Sequence, residues 1–282
     1  MQNLEIESIE GWISAEEIKS NPLWNEDSFH QILDVYLKPS KYGKEKVLQA
    51  IDEFSKSNIV LSATPFNNYE AVDDWTPNDP DYGLQWGLNG TYGIDAPQAW
   101  DIERGDNSVR VGLFETGAQK DHEDLDGRFL QESFTTGATN HGTHVAGIIG
   151  AISDNDTGIS GIAAVQFLLL DRNDFVVSIA RANSNNVPII NASFLYLNSD
   201  GTNAPYNSSH AAAISNYAGL IICSAGNDGN NTDNNPQYPA GYSTHFDNVI
   251  SVGAINEDGN RRGTSNFGAN SVNLFAPGGL IS

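Results

Sequence analysis

The stretch "SVRVGLFETGAQKDHEDL", residues 108–125, is a short apolar run that ends on an acid, Glu115, and then turns at Thr-Gly. A run of this length bounded by a turn predicts a buried strand. Further apolar runs follow and alternate with helical stretches, namely "VQFLLL" (165–170), "VPIINASF" (187–194), "GLIICSAG" (219–226) and "NVISVGA" (248–254). This alternation predicts an α/β fold in which a parallel sheet has helices on both faces.

Composition limits the class of protein. With 282 residues, 39% of them apolar, the chain is long enough for one large domain and a small one. Its net charge of −22 argues against nucleic acids and anionic membranes as partners, because phosphate groups would be repelled. Neither a membrane-spanning run nor a signal peptide is visible in the sequence. Cys223 lies among apolar residues, which predicts a buried hydrophobe.

A polar stretch rich in Asn, Asp and Pro marks a domain boundary. It covers residues 66–83 and separates a module at 1–65 from a larger domain at 84–282. In the first module "ILDVYLK" (32–38) and "NIVLSAT" (58–64) read as strands. Between them Val47, Leu48, Ile51 and Phe54 recur at helical spacing. The module is therefore predicted to be a small α+β unit.

Polar residues follow the predicted strands where sites of parallel sheets gather, at the carboxyl ends. Glu115 ends the first strand, Asn227 follows a later one in "CSAGNDG", and His141 opens a helix in "NHGTHVAGIIGA" (140–151). Taken singly, the histidine is equally well a helix cap and the asparagine a turn residue. An acid, a histidine and an amide donor in this chain order are ingredients of acyl transfer by a serine nucleophile.

These motifs resemble the subtilisin family of serine proteases, the subtilases, and most of all its thermitase branch, from about residue 75 to 282. The matching segments are "TPNDPDYGLQWGL" (76–88), "VGLFETG" (111–117), "HGTHVAG" (141–147), "SAGNDG" (224–229) and "LFAPGG" (274–279). The resemblance implies a subtilisin-like parallel sheet and a serine endopeptidase. It also implies that His141 is the general base, Glu115 the orienting acid and Asn227 the oxyanion donor.

The resemblance further implies a cleft for a polypeptide substrate or for the chain's own propeptide. Its predicted lining is Ser193, Phe194, Leu195, Ser224, Ala225, Gly226, Tyr238 and Pro239, with a cis Tyr238–Pro239 bond. The module at 1–65 matches the inhibitory propeptide of a zymogen, whose processing point would lie in the linker. A monomer in an extracellular compartment is expected from the family, although no signal peptide is visible in this chain.

A structural Ca²⁺ ion is also implied by the resemblance. Its predicted ligands are the side chains of Asp79, Asp124 and Asn155 with the backbone carbonyls of Ile152, Thr157 and Ile159. Hard oxygen ligands from separate loops suit this ion. The competing interpretation is an ordinary acidic turn in a strongly acidic chain.

The sequence departs from the family at several positions. Glu115 stands where the family has aspartate, and the extra methylene moves the carboxylate by about 1.5 Å, a misplacement that can cost about 10²-fold in rate. Leu195 stands where the family has glycine, so its side chain is expected to obstruct the cleft. The segment between the second and third strands of the sheet is shorter than in the family, which predicts that the edge strand pairing with substrate is trimmed.

The nucleophile motif of the family, Gly-Thr-Ser-Met-Ala, follows an Ala-Pro-Gly that corresponds here to Ala276–Gly278. Ser265 belongs to a "GTS" upstream of that point, so it is predicted not to be the nucleophile, and Ser282 matches a connecting loop. We therefore expect a precursor fragment whose sheet is incomplete at the C-terminus and which lacks the nucleophile. The alternative is an inactive pseudoprotease that acts as a binding or regulatory module.

Overall fold

The computed structural model describes residues 6–11, 33–37, 43–56, 75–134 and 137–278. By the density of its internal contacts, the chain divides into two compact units, Met1–Val72 and Asp73–Ser282.

In the first unit two strands form an antiparallel sheet. Strand β1 (Ile6–Gly11) pairs with β2 (Leu33–Leu37), and helix α1 (Gly43–Ser55) follows. The strand predicted at 32–38 and the helix predicted from its periodicity are confirmed. Strand β1 was not predicted, and the strand predicted at 58–64 lies outside the described residues.

The second unit is built on a six-stranded sheet in the order β4-β3-β5-β6-β7-β8, and every neighbouring pair is parallel. Its strands are β3 (Gly105–Glu115), β4 (Ala164–Asp171), β5 (Ile189–Ala192), β6 (Leu220–Ser224), β7 (Val249–Ile255) and β8 (Leu274–Pro277). This sheet confirms the predicted α/β fold. Cys223 is buried within β6, and burial raises the pKa of its thiol.

Helices pack on both faces of this sheet, as predicted. The helices of the second unit are α2 (Trp86–Asn89), α3 (Ala96–Trp100), α4 (Asn140–Gly150), α5 (Phe175–Ser184) and α6 (Ser208–Ser215). Helix α4 packs on the face that presents Leu113, whereas α5 and α6 pack on the face that presents Phe114. Among the helices that the structure describes, none has the length and apolar character that a membrane crossing requires.

The two faces of the later strands differ in burial. On the α5–α6 side Ile190 and Ile221 are fully buried. On the α4 side Ile189 and Leu220 are 37% and 41% exposed, because successive residues of a strand point to opposite faces. The helical layer on the α4 side therefore covers β3 and β4 more completely than β5 and β6.

Candidate active site

Glu115 and His141 form an acid–base pair at the carboxyl edge of the sheet. Glu115 is the last residue of β3, and His141 lies in the first turn of α4. The Glu115 Oε2 atom lies 3.1 Å from the His141 Nδ1 atom. The side chain of Glu115 is 1% exposed and that of His141 is 60% exposed. The acid is thus enclosed by protein while the imidazole is open to a reactant.

The start of α4 is fixed by a cap and by a close backbone approach. Thr139 is the N-cap residue, and its Oγ1 accepts a hydrogen bond from the backbone N–H of Gly142 at 3.3 Å. A Cβ atom added to Gly142 would lie 1.9 Å from the carbonyl oxygen of Gly117. Only glycine therefore lets the helix approach the turn after β3 this closely. That approach brings His141 to Glu115.

The carboxylate of Glu115 lies against the imidazole with both of its oxygens. Its Oε1 atom is also 3.1 Å from the His141 Nδ1 atom, yet Oε1 is buried without a hydrogen-bond partner. The hydrogen bond with Glu115 raises the pKa of His141, against smaller lowering effects of burial and of Arg172. The extra methylene of Glu115 therefore does not break its contact with the histidine.

Asn227 lies three residues beyond β6, at the same edge of the sheet as Glu115, and its side chain is exposed. Gly226 before it has a φ of +102°, a conformation that favours glycine. A Cβ atom at Gly226 would also lie 2.3 Å from the Gln237 Oε1 atom. The turn that carries the predicted oxyanion donor therefore depends on this glycine.

A buried asparagine holds this turn in place by hydrogen bonds. This role was not predicted from the sequence. Asn266 is 0% exposed, and its Nδ2 atom donates to the carbonyl oxygen of Ala225 at 2.9 Å and to the Gln237 Oε1 atom at 2.8 Å. Its Oδ1 atom accepts from the backbone N–H groups of Asp228 at 3.1 Å and Asn230 at 2.9 Å. The sequence offers only a weak signal for this role, an asparagine directly after the "GTS" motif.

Predicted positions fall in one row across the sheet. The β3–β5 register, continued by two residues past its last pair, aligns Glu115 with Ser193, and the β5–β6 register, continued by one residue, aligns Ser193 with Ser224. The Ser193 Oγ atom accepts a hydrogen bond from the Asn191 Nδ2 atom at 2.9 Å. Polar groups from successive strands therefore line the edge beside the histidine.

Phe194, which is predicted to line the cleft, has a buried side chain. It is 7% exposed, and its ring centroid lies 5.4 Å from that of Phe114 and 5.2 Å from that of Tyr196. Its side chain packs in the core because consecutive residues of an extended segment, here Ser193 and Phe194, point to opposite faces. Only the backbone of Phe194 is therefore left to line the predicted cleft. Leu195 beside it is half-buried.

The remaining predicted lining residues lie in two turns, which Asn266 joins by donating to the Ala225 carbonyl oxygen in one turn and to the Gln237 Oε1 atom in the other. The Tyr238–Pro239 peptide bond is cis, as the resemblance predicts. Both residues are buried, and the Tyr238 carbonyl oxygen accepts a hydrogen bond from the Tyr196 N–H at 2.8 Å. Ala225 is buried as well. The turn at 225–230 and the turn at 237–239 are therefore neighbours, as expected of two walls of the predicted cleft.

The side chains of the predicted metal ligands lie together in a cluster of loops. Asp79 accepts hydrogen bonds from the backbone N–H groups of Asp154 at 3.0 Å and Asn155 at 3.2 Å. Asp124 accepts from the Ile159 N–H at 3.1 Å and from the Asn155 Nδ2 atom at 3.1 Å. Asp79 and Asp124 are 4% and 3% exposed. Burial, and to a lesser degree Asp79, raises the pKa of Asp124.

The three residues predicted to contribute carbonyl oxygens belong to the same cluster. The N–H of Ile152 donates to the carbonyl oxygen of Asp124 at 2.9 Å, and that of Thr157 donates to the Asn155 Oδ1 atom at 3.0 Å. Ile159 contacts Asp124 through its own N–H. The described part of the chain contains no group of three or more His, Cys, Asp or Glu placed for a metal ion. The cluster thus has two carboxylates, with amide and carbonyl oxygens around them.

Ser265, which the sequence predicts not to be the nucleophile, is buried and hydrogen-bonded. It is 1% exposed, its Oγ atom donates to the Asn266 carbonyl oxygen at 3.0 Å, and it accepts from the Ala254 N–H at 2.9 Å. Ser282 lies outside the described residues.

A buried acid bonded to an exposed histidine is the arrangement of the acid–base pair in serine hydrolases, and here the pair lies at the carboxyl edge of a parallel sheet. The model of the subtilase family matches residues 106–281, and the chain belongs to this family.

Relatives agree with this assignment. A thermophilic serine proteinase of Bacillus sp. (strain AK1) is 34% identical over 264 residues, which are 85% of this chain and 61% of that protein. Thermitase of Thermoactinomyces vulgaris is 34% identical over 223 residues, which are 73% of this chain and 75% of thermitase. A solved protease of Pseudoalteromonas arctica PAMC 21717 has a TM-score of 0.59 and 25% identity, with 74% of each chain covered.

Proposed function

We propose that this chain carries the acid–base and substrate-binding parts of a subtilisin-like serine endopeptidase, which hydrolyses polypeptides through an acyl-enzyme. The observation that carries the proposal is the hydrogen bond between the buried Glu115 and the Nδ1 atom of the exposed His141. A carboxylate that accepts from Nδ1–H leaves Nε2 free to take a proton from a hydroxyl nucleophile. It also stabilises the imidazolium that forms.

Asn227 completes this proposed chemistry. Its exposed amide follows a turn that Asn266 and Gly226 hold, and a donor held in advance stabilises the oxyanion of a tetrahedral intermediate. Loss of one such donor costs about 10²–10³-fold in rate in a related protease of the same chemistry.

The proposal is tested with a fluorophosphonate probe, which labels an activated serine. We expect the 282-residue chain to stay unlabelled and a chain extended by the family's Gly-Thr-Ser-Met-Ala segment and its helix to be labelled. His141→Ala should abolish this labelling, and Glu115→Ala should slow it by up to about 10⁴-fold. Glu115→Asp should change the rate much less, because the glutamate already reaches His141.

Failure of a well-folded extended chain to react would reject the endopeptidase and favour the alternative, an inactive member of the family that acts as a binding module. Labelling that persists at full rate in Glu115→Ala would show that Glu115 is not the orienting acid.

We also propose that the loop cluster holds a structural Ca²⁺ ion through Asp79, Asp124 and Asn155, with the carbonyl oxygens of Ile152, Thr157 and Ile159. The donor set fits because it consists of hard oxygens, two of them from buried carboxylates. A bound cation would offset the cost of ionising Asp124, whose pKa burial raises.

Residues 1–65 are proposed to act as an inhibitory propeptide, with processing in the linker at 66–83. The antiparallel strands and the helix of the first compact unit support this. A monomer and an extracellular location rest on the family resemblance alone. Without a nucleophile, the purified chain should keep its N-terminal unit, which mass spectrometry after prolonged incubation would check.

A further inference from the structure

Gln237 is a buried residue whose side-chain amide contacts the turn that carries Asn227. It is 3% exposed. Its Nε2 atom donates to the Asp228 Oδ2 atom at 2.6 Å and to the Asn203 Oδ1 atom at 3.3 Å. Its Oε1 atom accepts a hydrogen bond from the Asn266 Nδ2 atom at 2.8 Å. Both the nitrogen and the oxygen of this amide are therefore hydrogen-bonded.

These contacts act on both sides of Asn227 in the chain. Asp228 follows Asn227, and its carboxylate accepts from Gln237 directly. Ala225 precedes Asn227, and its carbonyl oxygen accepts at 2.9 Å from the same Asn266 Nδ2 atom that donates to Gln237. The amide of Gln237 therefore constrains the turn before and after the predicted oxyanion donor.

The two amides also pack directly against the turn. A Cβ atom added to Gly226 would lie 2.3 Å from the Gln237 Oε1 atom and 2.4 Å from the Asn266 Nδ2 atom. A buried polar network whose groups are all hydrogen-bonded is rigid, whereas space alone could be filled nearly as well by apolar groups of the same shape. The hydrogen-bonded amide thus indicates that the position of this turn matters.

Asn203 holds the amide from a segment outside the turn. It forms an antiparallel bridge with Leu197, within a hairpin at 196–204. The N–H of Tyr196 at the base of this hairpin donates at 2.8 Å to the carbonyl oxygen of Tyr238, the residue after Gln237. The position of the amide is therefore set by neighbours that are independent of Asn227.

We propose that Gln237 is a positioning residue for oxyanion stabilisation, which fixes Asn227 by holding Asp228 directly and Ala225 through Asn266. A donor that is held in place before the reaction stabilises an oxyanion without reorganisation. This inference rests on the proposed function, and it adds a residue that acts through Asn227.

The first test measures the order of the Asn227 backbone in the 282-residue chain by NMR relaxation of its amide nitrogen. An order parameter of about 0.85 indicates rigid backbone, and one below about 0.6 indicates flexible backbone. We expect the wild-type chain to be rigid here. Gln237→Met keeps the length of the side chain without its hydrogen bonds, so the order parameter should fall towards the flexible value. Gln131→Met, the same change at an exposed position, is the matched control and should leave it unchanged.

An exchange of the two side-chain types separates the hydrogen bonds from the shape. Gln237→Glu keeps the acceptor for Asn266 but places a carboxylate against that of Asp228, so it should also lower the order parameter. Adding Asp228→Asn restores a donor between the two side chains and the wild-type net charge, and the double variant should recover the rigid value. Wild-type order in Gln237→Met, or a double variant no more rigid than Gln237→Glu alone, would overturn the inference.

The second test uses the extended chain and the fluorophosphonate probe. Gln237→Met should slow labelling by about tenfold, which is less than the cost of about 10²–10³-fold for loss of the donor itself. In an Asn227→Ala background the same change should have little further effect, because residues that act as one unit are not additive. The midpoint of the pH profile should stay unchanged, since His141 is not altered. Each ratio compares two chains that both keep residues 1–65, so a propeptide in the cleft affects both rates.

The outcomes distinguish this inference from the proposed function. An equal slowing by Gln237→Met in both backgrounds would indicate a general structural role, and it would overturn the inference while leaving the proposed function in place. An extended wild-type chain that does not react would overturn both.

Discussion

Two regions of the molecule bury carboxylates and satisfy them differently. Glu115 keeps one oxygen without any hydrogen-bond partner, although the residue is 1% exposed. Each oxygen of Asp79 and of Asp124 accepts a hydrogen bond from the loop around it. Unpartnered buried polar atoms are rare in native proteins and each calls for an explanation. The contrast indicates that Glu115 is placed for its histidine, and the aspartates for the loop that encloses them.

The largest expected effect comes from a glycine in each region. Gly142→Ala should lower the free energy of unfolding by about 3 kcal/mol or more, because its Cβ would lie 1.9 Å from a backbone carbonyl oxygen that cannot move aside. Gly158→Ala should cost about 1–2 kcal/mol. There φ is +52° and the clash, at 2.5 Å, is with a carboxylate oxygen of the Asp124 side chain and not with backbone. Urea denaturation measures both.

Gly137→Ala is the control for these variants, since a Cβ there meets nothing within 4 Å and φ is not positive. If Gly142→Ala proves as stable as Gly137→Ala, helix α4 does not approach the turn after β3 as described.

The next largest effect is expected from calcium, which should act on the loop cluster of Asp79 and Asp124 and not on the site of Glu115. Saturating calcium, at about 100 times its dissociation constant, should raise the stability of the wild-type chain by about 2.7 kcal/mol. Asp124→Asn should lose this increment. Asp126→Asn, an exposed neighbour outside the cluster, should keep it. Melting in calcium and in chelator measures the difference, and an equal increment in both variants would place the ion elsewhere.

The carboxylate of Asp124 should make the free energy of unfolding depend on pH, with a sign that follows from the direction of its pKa shift. The folded-state pKa of Asp124 is raised, so ionisation of this group costs stability. In chelator its contribution should therefore grow as pH falls through the folded pKa, and it should be complete below the unfolded value of about 3.9. The difference in the free energy of unfolding between the wild-type chain and Asp124→Asn, measured as a function of pH, gives the contribution of this group. A difference that shrinks on acidification would contradict it.

The smallest effect concerns Glu115. Glu115→Gln keeps the shape of the side chain but removes the charge that raises the pKa of His141, so this pKa should fall towards about 6.5. In the wild-type chain the stabilising contribution of the pair is complete below about pH 6.5 and is lost as pH rises through the folded pKa. The variant should lack this loss.

NMR titration of the imidazole signals measures the Glu115→Gln effect. His210 is the internal control, because burial alone lowers its pKa. A fall in both pKa values would indicate a general change in the fold and not the loss of one charge.

Much of the fold could be predicted from local sequence. Continuous apolar runs predicted the buried strands, and the carboxyl ends of these strands predicted the edge at which Glu115 and His141 are found together. Glu115 and His141 could be paired because each stands beside a strong local signal, a strand end and a helix start.

What escaped prediction depends on long-range contacts. The role of Asn266 needs two turns, at 225–230 and at 237, to come together around one amide. The inward direction of Phe194 depends on where β5 ends. No local pattern contains this information.

The sheet order has a consequence for how the protein folds. Strands β3 and β5 are neighbours in the sheet, although α4, β4 and α5 lie between them in the sequence. Contacts of such wide sequence separation slow folding, because a long loop must close before the contacts form. The bond between Glu115 and His141 spans 26 residues, whereas the bonds from Asn266 to the 225–230 turn span 36 to 41. During refolding the helices should therefore appear early, and the hydrogen bonds that hold the 225–230 turn should form in the slowest phase.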